Sequence, residues 1–184
     1  MSHVPQPQPT AKLIAAIMAA REDLIEEALS VLSRTYGAVE LTGPVFPFTY
    51  SDYYAAEMGE GLVKVFCSFS GLVDPGGIVA IKQEAMECEL RFLVEGTGSR
   101  RVNVDPGYLD GTKLVLATTK SAGHRVYIDS GVHAEIELIY RCGAFTPLEW
   151  TYADYRGPAA LEYFAKVRRK YLAELKEPGD NKQA

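Results

Sequence analysis

Residues 100–141, RRVNVDPGYLDGTKLVLATTKSAGHRVYIDSGVHAEIELIYR, commit this chain to a multi-stranded sheet. β-Branched and aromatic residues recur there at alternate positions, and turn residues interrupt them at short intervals. Arg101 to Val104 alternates. Asp105-Pro106-Gly107-Tyr108 then reads as a type II turn, with proline and glycine where that turn needs them. Thr112 to Thr119 is almost continuously apolar, which predicts an interior strand. Arg125 to Ile128 and Val132 to Arg141 read as a hairpin about Asp129-Ser130-Gly131.

The upstream half supplies what packs on that sheet. Ala11 to Ala20 is short and apolar all round. Its alanines favour helix, but a strand buried on both faces suits it better, because a helix would fuse with the next one into an overlong rod. Glu22 to Tyr36 is a helix: Leu24, Ile25, Ala28, Leu29, Leu32 and Tyr36 form one stripe, acidic residues open it and Gly37 stops it. Val39 to Phe48 is extended and irregular, with Pro44 and Pro47 marking an edge. Leu62 to Ser70 is a strand with Val63, Val65, Cys67 and Phe69 on one side. Asp74-Pro75 opens a second helix that runs to about Val94. Pro158 to Leu175 is a terminal helix with Leu161, Phe164, Tyr171, Leu172 and Leu175 inward and Lys166, Arg168, Arg169 and Lys170 in solvent. The order β-α-β-β-α-β, followed by more strands and a helix, predicts an α+β fold. The expected core is ferredoxin-like (split βαβ), a mainly antiparallel sheet with helices on one face, plus an added hairpin and C-terminal helix. Residues 11–176 are expected to form one domain, and the tails 1–10 and 177–184 to be disordered.

Composition excludes several functions. Of 184 residues, 47% are hydrophobic, and the net charge of −5 argues against a duplex nucleic-acid binder, which needs clustered cations, while leaving a local basic patch open. The apolar run near the N-terminus is too short to cross a bilayer, and no signal peptide is expected. Cys67, Cys88 and Cys142 are scattered and form no CxxC pair, so a reducing, cytoplasmic setting is expected.

Candidate chemistry gathers around the opening stretch. Alternation puts Arg101, Asn103 and Asp105 on one side of a strand, with Val102 and Val104 on the other. It likewise opposes Arg125 and Tyr127 to Val126 and Ile128, and His133, Glu135 and Glu137 to Ala134, Ile136 and Leu138. One reading is a solvated outer sheet face. The sharper one is a mixed-charge binding surface rimmed by Asp105, Tyr108, Lys120 and His124. Its contacts to a small anion would come from Arg101, Asn103, Tyr108, Lys113, Thr119, Lys120, Arg125, Tyr127 and Trp150. Asp105, His124 and Glu135 are the candidates for acid–base catalysis, because histidine titrates near neutral pH. His133, Glu135 and Glu137 are a weaker metal candidate, needing a further ligand such as Asp105. Tyr50, Tyr53, Tyr54, Trp150, Tyr152 and Tyr155 fall in two loops beside Asp52, Asp154 and Arg156. They suit stacking or a minor core over the sheet, with Asp154 paired to Arg156.

Long phrases here, VNVDPGYLDGTKLVLATTK, HRVYI, VHAEIEL and PLEWTYADYR, resemble a bacterial and archaeal family, domain-of-unknown-function family 4416. VFPFTYSDYYAAEMG resembles a second signature of it, and the likeness spans about Lys12 to Arg156. The resemblance implies a strand followed by a helix in its first segment. In that segment Ala20-Arg21 replaces the usual capping serine or aspartate. Some members carry the label "GTP-binding protein", which implies GTP or another nucleotide as ligand. The residues do not carry a G-domain signature: no GxxxxGK[ST] is present. The glycines at Gly96-Thr97-Gly98 follow a helix, the wrong order. Asp74-Pro75-Gly76-Gly77 and Asn181-Lys182 are only fragments of such motifs. Three functions stay open: a cytosolic protein that binds a small anion such as a nucleotide, an enzyme of hydrolase or transferase type, and a structural or protein-interaction module.

Overall fold

The computed structural model describes residues 9–51 and 53–176. Most of the two predicted tails (1–8 and 177–184), Asn181-Lys182 and Asp52 lie outside the described residues. The chain runs β1 (Lys12–Ala19), α1 (Glu22–Tyr36), β2 (Val39–Thr42), β3 (Phe46–Pro47), α2 (Ala55–Met58) and β4 (Val63–Phe69). A 3-10 turn (Pro75–Gly77), α3 (Ile78–Leu90), β5 (Val102–Leu109), β6 (Lys113–Thr118), β7 (Val126–Asp129) and β8 (Val132–Arg141) follow. It ends in β9 (Ala144–Pro147), α4 (Ala153–Arg156) and α5 (Pro158–Glu174).

The nine strands form one sheet in the order β2-β4-β1-β5-β6-β8-β7, with β3 beside β4 and β9 beside β8. Every pairing among the described strands is antiparallel. β1 is buried from end to end. Its odd positions Leu13, Ala15, Ile17 and Ala19 pack with Leu24, Ile25, Ala28 and Leu32 of α1 and with Ile81, Ala85 and Cys88 of α3. Its even positions Ile14 and Ala16 pack with Ala160, Tyr163, Phe164 and Val167 of α5. Burial on both faces is what lets an alanine-rich segment be a strand, since tertiary packing overrides propensity.

Helices therefore lie on both faces of the sheet: α1 and α3 on one, α4 and α5 on the other. The expectation of helices on one face holds for α1 and α3 but not for the whole sheet, because the terminal helix covers the other face. Its inward residues include Tyr163 and Val167, whereas Leu175 is exposed. α3 ends at Leu90, earlier than its pattern suggested. In the turn before it, Asp74 Oδ1 accepts from Gly76 N at 2.8 Å, which accounts locally for the DxxG-like residues.

The expected turn at residues 105–108 is not a turn. β5 continues straight through Pro106-Gly107. β1 pairs with all of β5, but β6 pairs only with Gly107, Tyr108 and Leu109. Pro106, with no N–H to donate, stands where pairing to β6 stops. Gly107 is glycine because the neighbouring strand is too close for a side chain: a Cβ there would lie 2.2 Å from the Val115 carbonyl oxygen. The reversal comes later, where Asp110 Oδ1 accepts from Thr112 N (2.7 Å), Thr112 Oγ1 (2.7 Å) and Lys113 N (3.0 Å).

Candidate functional site

Because β5 and β6 share only three residue pairs, they part upstream of Gly107 and leave a fork in the sheet. Side chains of α3 satisfy the open edge of β5. Glu89 Oε1 accepts from Val104 N at 2.7 Å, and Lys82 Nζ donates to Val104 O at 3.0 Å. Lys82 and Glu89 lie seven residues apart, two turns along one buried face of the helix. Burial pushes the Glu89 carboxyl up from its ordinary range, while Val104 N–H, Lys82 and Arg100 oppose the shift.

Arg100 ties the fork together. It donates to Glu57 Oε1 (2.7 Å) and Oε2 (2.8 Å), to Glu89 Oε2 (3.0 Å) and to Asn103 Oδ1 (3.1 Å). Hydrogen bonding to Arg100 holds Glu57 below the usual carboxylate range. Asn103 passes the network on, donating to Asp105 Oδ2 at 2.8 Å. Lys82 Nζ lies 3.7 Å from the other Asp105 oxygen.

The opposite wall comes from β6 and β8. A shift of register between Leu114 and Val115 carries Glu137 out of the regular pairing of β8. Glu135 and Glu137 are both buried, whereas Ile136 between them is 38% exposed. That inverts the solvated-face reading: the carboxylates point in. Glu135 lies 2.9 Å from His124 Nε2 and 3.2 Å from Arg125 Nη2. Arg125 also donates to the Tyr152 hydroxyl at 2.5 Å. Glu137 Oε1 accepts from Tyr152 N at 2.5 Å. Burial raises the Glu137 carboxyl to about 8; Tyr152 N–H and Lys64 oppose that rise, and Glu135 and Asp154 reinforce it.

Two adjoining cavities occupy the fork, of about 230 Å³ and 100 Å³. Tyr54, Asp105, Leu116, Lys120 and Tyr152 line both. The Lys120 ammonium sits 3.9 Å from the Tyr53 ring centre and 5.2 Å from that of Tyr54. In the larger cavity Lys64, 6% exposed, lies 2.6 Å from Asp154 and within reach of the Phe48, Phe66 and Tyr155 rings. The two aromatic loops do converge over the sheet, but Asp154 pairs with Lys64. Arg156 instead donates to the carbonyls of Thr151 and Glu149.

The structure divides the residues singled out from sequence. Asn103, Asp105, Thr119, Lys120 and Glu135 line or brace the fork, and Arg125 backs it. His124 pairs with Glu135 but not with Asp105. Its ring stacks on Trp150 at 5.4 Å, lining a separate shallow cavity that also holds Tyr108 and Lys113. Tyr108 and Lys113 thus fall outside the fork, and Lys113 Nζ is held by Asp110 Oδ2 at 2.5 Å. Arg101 is exposed and donates to Phe92 O, and Tyr127 packs on His133 at the sheet edge. His133, Glu135 and Glu137 are not brought together as metal ligands: among the described residues no group of three His, Cys, Asp or Glu could hold a metal ion. Sequence reasoning missed Lys64, Lys82, Arg100, Glu57 and Glu89. The i, i+7 spacing of Lys82 and Glu89 within an apolar helix face was the available signal.

Among the described residues no helix is long and apolar enough to cross a membrane. A family model described as "Domain of unknown function (DUF4416)" matches residues 9–171. No curated protein and no solved structure matches the chain.

Proposed function

The chain belongs to the DUF4416 family, and for it we propose that the fork between β5 and β6 binds a small organic anion. One observation carries this reading. Lys64, Lys82, Arg100 and Arg125 each face a carboxylate, whereas Lys120 lines both cavities with no carboxylate within 4.0 Å among the described residues. Its ammonium rests on the Tyr53 and Tyr54 rings, which leave donors free for an incoming anion. Asp105 lines the same two cavities and accepts donors from the same ligand. The two volumes, about 230 and 100 Å³, each fall below the roughly 300–1,000 Å³ of small-molecule sites, which favours a monophosphate or carboxylate over a nucleoside triphosphate.

The strand order β2-β4-β1-β5, with α1 and α3 crossing one face, supports a ferredoxin-like split βαβ core extended by β6 to β9. Free Cys67, Cys88 and Cys142 support a reducing, cytoplasmic setting.

The test is calorimetric titration with phosphate monoesters, carboxylates and nucleoside monophosphates. The tightest binder should lose at least about tenfold in affinity in Lys120→Ala, the loss of one charge-assisted contact, and nothing in Lys113→Ala. Equal affinity in Lys120→Ala and the wild type would refute the reading. A second reading, acid–base catalysis of a hydrolase or transferase reaction, rests on Glu135, which lines the smaller cavity with Asp105 and lies 2.9 Å from His124 Nε2. It predicts ester or phosphoester turnover that is lost in both Glu135→Gln and His124→Ala.

A further inference from the structure

Resting on that anion site, we infer that its ligand is amphipathic: a phosphate or carboxylate joined to an apolar acyl or aryl group, which enters a second cavity next to the fork. That cavity holds about 460 Å³ and has Phe46, Pro47, Tyr50, Phe66, Pro158 and Tyr163 among its walls. Among the described residues Asp154 is its one charged wall residue, and Asp154 also lines the larger cavity of the fork.

The two chambers are built from the same elements. The segment 46–54 gives Phe46, Pro47 and Tyr50 to the apolar side and Phe48, Tyr53 and Tyr54 to the fork. β4 gives Phe66 to the first and Lys64 to the second. What separates them is the Lys64–Asp154 pair, 2.6 Å apart, among the rings of Phe48, Phe66 and Tyr155. The pair is internally neutralised, so it does not repel an apolar chain passing it. The charge for an anion lies at the exposed Lys120, on the solvent side of the fork. Lengthening the apolar group removes more surface from water and tightens binding. This distinguishes the ligand from a nucleotide, whose polar base would leave its donors and acceptors unpaired against Phe46, Pro47 and Pro158.

The experiment uses the full chain and calorimetry with methyl phosphate, n-octyl phosphate, 1-octanol and adenosine monophosphate. Octyl phosphate should bind at least 100-fold tighter than methyl phosphate. Ala159→Trp and Thr49→Trp, at two exposed wall positions, should each cut the octyl ester at least tenfold and leave methyl phosphate unchanged. Lys120→Ala should weaken both esters. If both esters bind equally and both depend on Lys120, the amphipathic inference falls and the anion site stands. If octanol binds as tightly as its phosphate, or adenosine monophosphate binds more tightly, the inference is overturned. If no phosphate binds, the anion reading falls and takes the inference with it.

Discussion

β1 and β8 belong to one sheet and obey opposite rules. β1 hides an almost wholly apolar sequence between helices on both faces. β8 hides two glutamates and shows an isoleucine to solvent. The first arrangement follows from the transfer free energy of apolar surface. The second opposes it: a buried carboxylate is costly unless paired, and Glu137 meets that cost by holding its proton up to about pH 8. Where a strand is inverted in this way, stability is not what its side chains were arranged for. Local departures from the folding pattern concentrate at sites that bind or react.

The comparison can be broken from either side. The largest effect is expected in the core strand: Ile17→Ala, at a fully buried position, should destabilise by about 4 kcal/mol in urea unfolding. A loss under about 1 kcal/mol would mean β1 is not the packing centre. Next comes Gly107→Ala, which forces a methyl group against the Val115 carbonyl where the two halves meet. About 3 kcal/mol should be lost as β5 and β6 separate, and a variant of wild-type stability would show that the approach is loose.

Arg100→Ala leaves Glu89 buried with its bond from Val104 N but without its ion-pair partner. The Arg100 side chain is 28% exposed, so the full penalty of a broken buried pair is discounted to about 2 kcal/mol. Glu89→Gln in the same background should recover part of it, and no recovery would sink the pairing argument.

Glu137 gives a smaller effect with a definite sign. Its folded carboxyl is raised from about 4.5 to about 8. Between those values the unfolded chain releases its proton first, so the contribution present below the lower one is lost as pH rises through about 8. Glu137→Gln should flatten that slope and stabilise the protein by about 1–2 kcal/mol at pH 8.5. Parallel stability curves for variant and wild type would exclude it. The smallest effect belongs to Ile136→Thr on the exposed side of the same strand, within about 0.5 kcal/mol of neutral.

Periodicity made most of the elements legible. α1 has the bounds its stripe of Leu24, Ile25, Ala28 and Leu32 implies, and β4 and the β7–β8 hairpin lie where alternation put them. Alternation says which residues share a face, but not which face is covered. The face of Glu135 and Glu137 reads equally as solvated or as a binding surface until Thr151 and Tyr152 return over it, more than ten residues later. Pro106-Gly107 has the composition of a turn, yet it serves a strand because a neighbour approaches too closely for a side chain. Lys64 and Arg100 were illegible for a related reason. Each is a long cation whose partner, Asp154 or Glu57, is more than forty residues away in sequence and adjacent only after folding.

Val104 completes a strand with a helix, its N–H on Glu89 and its carbonyl on Lys82. In isotope exchange, an amide inside a ladder reports the parting of strands. The Val104 proton leaves when the Glu89 side chain lets go of the open edge. Its exchange rate therefore clocks that contact, and ligand that slows Val104 without slowing Ile17 has acted on the fork alone.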